Sequence, residues 1–556
     1  MFATIRVTIR PVSSIGPGSL SDRGPYITLS QSPVLKAVEM EWTTFNDIFQ
    51  PDEYSGYPSQ SSEAAWSKLW DFGAFSVLLD MIAGLNKSSL DRDFRLLDKE
   101  HGGGVGGLLG GAHQIHCLVP WMSKLNYLGA YLYRKAGKGD LKWEGARKMM
   151  FDPLTTNATD LVRLLEDGKV NSVQVVLAYL SQIERYEPKL HAFISVAPRE
   201  QLIAIASARD EERQQGHTRG PLHGVPIVLK DIFMTASELG MGTTAGAWAL
   251  VGARTDVNSP IVQRLLDQGL IVLGKTNMTE FADMKMTMTP PGWSAVGGQA
   301  LSPYVRPIAE GETLLGHTSP GGSSTGSAVA VAAGFSPLAL GTETIGSIIT
   351  PASRAGLYAL KPTLKAADKG IKCPISLAGV SELTVDGREA IMPIAYWEFK
   401  NICVPRFLDA FDECRVRSLA DIVEFNKENK DKCLPSPYTK QDDLIKALDN
   451  TDDGPYIERL KSGLRAIGQR ILDEAFDGHG LNVIAAPADS SLCIHAAAAG
   501  YPIATVPLGQ LRYNGRPFGL CMVAKARNEE VLLRFMYAWS GMVCRPVPSL
   551  STFGSG

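Results

Sequence analysis

The alternation of helix-period and strand-period segments after residue 150 constrains this chain more than any other feature. The stretch "ATDLVRLLEDGKVNSVQVVLAYLSQIERYEPKL" repeats apolar residues at spacings of three and four, the period of an amphipathic helix. It predicts a short helix over Ala158–Glu166, ended by Asp167 and Gly168, and a longer one over Ser172–Glu187. "LHGVPIVLKDIF" holds a β-rich run bounded by Gly224 and Asp231, a strand with turn residues at its ends. "SPIVQRLLDQGLIVLGKTNMTEFA" reads as helix, glycine stop, strand and turn. Helices that alternate with short apolar strands bury their apolar stripes against a sheet, so the fold class is α/β, with a sheet flanked by helices.

The chain divides near residue 140. Before that point it is aromatic and irregular, with Trp42, Trp66, Trp70 and Trp121. "RKAGKGDLKWEGARK", Arg134 to Lys148, is charged and glycine-spaced and reads as a linker. The expected domains are therefore 1–139 and 140–556. The first residues, "MFATIRVTIRPVSSIGPGSL", lack the apolar core of a secretory signal and read as a frayed terminus. A net charge of -3 excludes the basic excess that nucleic acid or an anionic membrane surface selects. No stretch is long and apolar enough to span a bilayer. Eight scattered cysteines, none in C-x-x-C, point to reduced thiols and a cytoplasmic setting. Oligomeric state is not readable from these features.

The chemistry centres on "SPGGSSTGSAVAVAAGF", Ser319 to Phe335, a hydroxyl-rich loop leading into a helix expected to be buried. A phosphate cradle would need G-x-x-x-x-G-K-[ST], and the lysine is absent. Gly322 to Gly326 matches the G-x-S-x-G nucleophile elbow, which needs a strand before it and an acid and a histidine after it. Gly316 and Pro320 interrupt that strand, and His479 and His495 have no distinctive context. A third reading uses more of the chain. Lys230 follows an apolar run, where burial disfavours its charge and frees a neutral base. Ser347 sits in "TIGSI", where a glycine turn can expose backbone N–H groups, and Ser323 precedes it by 24 residues. One lysine and two serines can form a proton relay in place of Ser-His-Asp.

These residues also carry a resemblance. "GVPIVLKD", "GKTNMTEFA", "GWSAVGGQ", "SPGGSSTGSAVAVAAGFSPLALGTETIGSIITPA" and "GLYALKPT", in this order, resemble the amidase signature family in its fungal branch, over about residues 150–365. "AAAAGYPIATVPLGQLRYNGRPFGLCMVA" resembles that family's closing strand region. The resemblance implies an α/β/α sandwich around a mixed sheet, and amide hydrolysis with no metal or cofactor. It further implies Lys230 as base, Ser323 as a bridging serine on a cis peptide bond after Gly322, and Ser347 as the acyl-forming nucleophile. The N–H groups of Thr344, Ile345, Gly346 and Ser347 would form the oxyanion hole.

The pattern departs from the family after Lys361-Pro362-Thr363. The family's D-T-x-G-P turn is absent, and "EAIMPIAYWEFKN" resembles a much later part, so the amidase domain reads as shortened after residue 363. Ile345 stands where a glycine or an aspartate is usual. In the first part, "HQIHC" and "YSGYPSQSSEAAWSKL" resemble the fungal UstYa-type proteins, oxidases that carry H-x-x-H-C twice. His113, His116 and Cys117 are therefore weak metal-ligand candidates, but a single copy predicts no metal centre and an irregular partial N-terminal domain. Gly102-x-Gly104-x-x-Gly107 follows a charged stretch rather than a strand, which argues against a dinucleotide site. The expected function is hydrolysis of a small or peptide-derived amide in a fungal secondary-metabolite pathway. A catalytically impaired fusion that acts by binding, and a UstYa-like metal-dependent oxidase, are the alternatives.

Overall fold

The computed structural model describes residues 151–305, 307, 316–363 and 383–550, together with two strands nearer the N-terminus. Those two, β1 (Arg6–Arg10) and β2 (Ala37–Glu41), pair antiparallel with each other. Arg6–Arg10 is thus a strand and not a frayed end; Val7 and Ile9 give it the β-branched alternation that favours extended backbone. The Arg134–Lys148 linker reading and the HxxHC stretch lie outside the described residues.

The alternating segment folds as its pattern predicts. Helix α1 (Ala158–Glu166) is capped by the Asn157 side chain, which accepts from the Asp160 N–H. Helix α2 (Ser172–Leu190) begins with a capping box between Asn171 and Gln174. It runs past the expected end at Glu187 because Pro188 lies in the last turn, where the carbonyl it frees belongs to exposed Glu184. Then follow β3 (Phe193–Val196), α3 (Arg199–Gln214), β4 (Pro226–Lys230), α4 (Pro260–Asp267) and β5 (Ile271–Thr276). A short ribbon, β6 (Trp293–Ser294) with β7 (Gly298–Gln299), precedes α5 (Thr325–Ala332), β8 (Ala339–Leu340), α6 (Ile349–Arg354) and β9 (Ala359–Lys361).

The first sheet has the order β3-β5-β4-β8 and is mixed: β4 runs parallel to β5 and β8, and β3 antiparallel to β5. Strand β4 is interior and buried along its whole length, which explains its unbroken apolar run. Val228, Leu229, Leu273, Tyr179, Leu202 and Val329 belong to one core between this sheet and its helices.

Beyond a small hairpin, β10 (Thr384–Val385) with β11 (Arg388–Glu389), come the helices α7 (Ile391–Glu398), α8 (Val404–Asp409), α9 (Leu419–Glu428) and α10 (Asp442–Asp449), with one helical turn, Lys430–Cys433, between the last two. They close a second core with Phe281, Phe399, Phe407 and Leu444. The expected truncation point borders residues 364–382, which lie outside the described residues. The chain ends in α11 (Gly454–His479), β12 (Ile484–Pro487), α12 (Leu492–Ala499), β13 (Ile503–Gln510), β14 (Pro517–Val523) and α13 (Glu529–Ser540). The second sheet, β12-β14-β13-β9, is antiparallel throughout.

Candidate active site

Two helices bring the sequence-selected residues together. Helix α5 packs on β4, β5 and β8 of the first sheet, α6 packs on β9, β13 and β14 of the second, and α5 and α6 touch. Ser323 lies just before α5 and Ser347 just before α6, so the turns entering the two helices meet. The small residues of "TGSAVAVA" also let α5 lie against the chain leaving β5. A Cβ on Gly326 would sit 2.3 Å from the Asn277 carbonyl oxygen, backbone that has no room to move. The expected elbow strand is not there: residues 316–324 approach α5 as turns and bends, because Gly316 and Pro320 break extended structure.

Lys230 ends β4, with no solvent exposure. Its Nζ lies 2.7 Å from Ser323 Oγ, 3.0 Å from Ser324 Oγ and 2.9 Å from Thr342 Oγ1. Ser323 Oγ lies 2.8 Å from Ser347 Oγ. The three residues read from the sequence therefore form one hydrogen-bonded line. Its backbone is braced as well: the Ser324 N–H donates to the Ser347 carbonyl at 3.0 Å, and the Thr279 N–H to the Ser323 carbonyl at 3.2 Å.

One expectation is corrected. The Gly322–Ser323 bond is trans, and the cis peptide among the described residues is Ser436–Pro437. Gly321 and Gly322 take φ of 78° and 58° in succession, and this left-handed double turn delivers the Ser323 hydroxyl to Lys230 across a trans bond.

Ser323, Ser347, Gly346, Ile345, Thr279 and Asp283 line a single cleft. Thr344 stands one residue before that lining. Behind it, Glu343 accepts the Ile348 N–H at 2.6 Å and the Ile349 N–H at 2.8 Å. Burial pushes its carboxyl above the usual range, and these N–H groups, with that of Gly346, oppose the shift. Glu343 thus staples the turn that carries Ser347. Next to Lys230, Asp231 and Lys275 form a fully buried pair at 3.4 Å. Of the histidines weighed as bases, His479 is exposed at the end of α11, and His495 is buried in α12 with Nδ1 at 3.0 Å from the Ser491 carbonyl; neither lines the cleft. His113, His116 and Cys117 lie outside the described residues.

Sequence reading missed Thr342, Glu343 and Asp283. Glu343 had a signal, an acid inside a glycine-threonine turn four residues from Ser347. Asp283 had none, because its position depends on a left-handed backbone. A hydroxyl, a second hydroxyl and an amine in line, beside turns rich in N–H groups, can deprotonate a nucleophile and receive a developing oxyanion.

The family model described as Amidase matches residues 174–376, which include all three members of this line. Among solved structures, the native peptide amidase from Stenotrophomonas maltophilia superposes with a TM-score of 0.61 at 30% identity, over 71% of this chain and 98% of that one. The chain belongs to the amidase family. An amidase of this kind is a hydrolase of amide C–N bonds. It is also 26% identical over 498 residues to a Schizosaccharomyces pombe protein carrying the name "Putative amidase", covering 67% of this chain and 83% of that protein. To a protein of the same name from Arthroderma benhamiae it is 35% identical over 209 residues, which span 38% of this chain and only 33% of that relative's length. Ahead of the amidase match, residues 2–155 match the family model described as mycotoxin biosynthesis protein UstYa. No helix among the described residues is long and apolar enough to cross a membrane.

Proposed function

We propose that this amidase cleaves a small or peptide-derived carboxylic amide through an acyl-enzyme on Ser347, with Ser323 and Lys230 as the proton relay. The observation that carries the reading is the unbroken line from Lys230 Nζ through Ser323 Oγ to Ser347 Oγ, at 2.7 and 2.8 Å. Ser347 attacks the amide carbon as its proton passes to Ser323, whose own proton passes to Lys230. The tetrahedral oxyanion lies against the turn of Thr344, Ile345, Gly346 and Ser347, whose backbone supplies N–H donors. As the C–N bond breaks, the proton returns along the line to the leaving nitrogen. Water then enters by the same route in reverse and releases the acid and Ser347.

The complete relay supports a working enzyme over an impaired remnant. The two family matches, 2–155 and 174–376, support a division of the chain into a UstYa-like part and an amidase part. The UstYa likeness is also the ground for placing the substrate in a fungal secondary-metabolite pathway, and the free cysteines among the described residues are in keeping with the cytoplasm. A serine-directed fluorophosphonate should label Ser347, and Ser347→Ala should lose both the label and amide hydrolysis while remaining folded. Label or turnover retained in Ser347→Ala would remove Ser347 as nucleophile.

A further inference from the structure

Asp283 stands in the wall of the same cleft as Ser323 and Ser347, and the relay makes no use of it. It closes the segment Glu280–Asp283, where Phe281, Ala282 and Asp283 take φ of 52°, 55° and 82°. Left-handed backbone costs a non-glycine residue on the order of 1–2 kcal/mol. Three such residues in a row persist only where their surroundings hold them, and runs of this kind gather at functional sites. Here the run sets Asp283 into the cleft wall.

Three groups act on its carboxyl. Thr289 and Lys230 of β4 favour its charged form, and Asp443 of α10 repels it. Asp443 is itself engaged, by Lys446 Nζ at 2.9 Å, Tyr396 Oη at 2.7 Å and Thr287 Oγ1 at 3.1 Å. Burial and Asp443 together push the Asp283 carboxyl up to about 8. The side chains that line the cleft with it include Thr279, Pro291, Ile345 and Thr350, and among them Asp283 is the one ionisable group.

We propose that Asp283 is a specificity-determining residue that pairs with the free amine of an amino-acid-type amide while Ser347 addresses the carbonyl. This rests on the hydrolytic reading above and narrows its substrate class. An ammonium in the cleft offsets the repulsion between Asp283 and Asp443 and makes the ionised carboxylate the favoured form. Standing near Lys230, the same cation disfavours a second positive charge there, which is the state a base requires. A neutral amide gains only one hydrogen bond from Asp283, and an amide bearing a carboxylate is repelled.

The test uses the full chain carrying Ser347→Ala, so that binding is read without turnover. Calorimetry at pH 6.5 compares phenylalaninamide with 3-phenylpropionamide, which differ only in the amine. The amine-bearing amide should bind at least about tenfold more tightly, the range of a hydrogen bond to a charged group. Adding Asp283→Asn should bring the two affinities within about twofold of each other. Binding of phenylalaninamide to the Asp283 protein should also release a proton, seen as a heat that depends on the buffer's ionisation enthalpy; this second measurement stands if Asp283→Asn fails to fold. Equal affinities, a preference that survives Asp283→Asn, no binding of either amide, or binding without proton release overturns the proposal. Lack of hydrolysis by the unsubstituted chain, with the amine preference present and lost on Asp283→Asn, instead overturns the acyl-enzyme reading and leaves this one.

Discussion

Lys230, fully buried, lies with Nζ at 2.7, 3.0 and 2.9 Å from three hydroxyl oxygens, and substitution separates the proposed base from a structural cation. A guanidinium carries the same charge but does not deprotonate in a protein. Lys230→Arg is therefore expected to be as inactive as Lys230→Ala, each losing about 10²–10⁴-fold in kcat/KM, the worth of a positioned general base. Circular dichroism confirms folding of each variant before amide hydrolysis is compared; substantial activity in Lys230→Arg would remove Lys230 from the mechanism. At this scale the sequence was informative where residue type alone specifies chemistry. A lysine after an apolar run and two serines in glycine turns were legible. Thr342 and Asp283 were not, and the acid of the glycine-threonine turn at Glu343 was passed over, because such a residue gains its role only from what the fold places opposite it. The cis bond expected at Ser323 failed for a related reason: two left-handed glycines offer another path to the same hydroxyl position.

Strands β4 and β5 were readable as elements, and so was α1 with its stop at Asp167 and Gly168, since period and turn residues are local. Their arrangement was not. Strands β8 and β9 have two and three residues, too short for any period, yet each completes a four-stranded sheet. The link between β4 and β5 is also non-local. Asp231, directly after Lys230, pairs with Lys275 of β5 at 3.4 Å, both fully buried. Its carboxylate also accepts the Thr244 N–H at 3.0 Å, while Lys275 donates to Thr243 Oγ1 at 2.7 Å. Lys275→Met preserves most of the volume and leaves Asp231 buried without its cation. Such a break typically costs about 3–5 kcal/mol, and the position next to Lys230 implies that activity falls with stability. Urea unfolding of Lys275→Met measures the first and amide hydrolysis the second. Adding Asp231→Asn should recover part of the lost stability, because the uncompensated charge is then gone. A single variant as stable as the parent would show that the pair does not hold the two strands.

At the scale of the whole molecule, carboxyls whose burial raises them contribute a pH dependence of stability opposite in direction to ordinary acid denaturation. The Glu187 carboxylate accepts the Ala192 and Phe193 N–H groups at 2.9 and 2.8 Å, where α2 passes into β3. Burial nevertheless pushes it up to about 7 from an ordinary 4.5. Asp283, at about 8, has the same sense. Between the unfolded and folded values the native state keeps a proton that the unfolded chain has released, so stability falls as pH rises through this window. It is highest below about 4.5 for the Glu187 contribution and has reached its floor above about 7. His223 opposes this in part, since burial lowers it from 6.5 and the folded state then favours the neutral ring. The raw stability curve therefore mixes both signs, and the difference between parent and variant isolates one group. Glu187→Gln keeps an acceptor for one N–H and removes the titration. Relative to the parent it should gain stability steadily between pH 5 and 7, by roughly 1–3 kcal/mol on the scale of 1.36 kcal/mol per pKa unit, and then hold that gain to pH 8. Denaturant midpoints taken at half-unit steps decide the matter, and parallel curves for parent and variant would show that Glu187 is ionised in both states across the range.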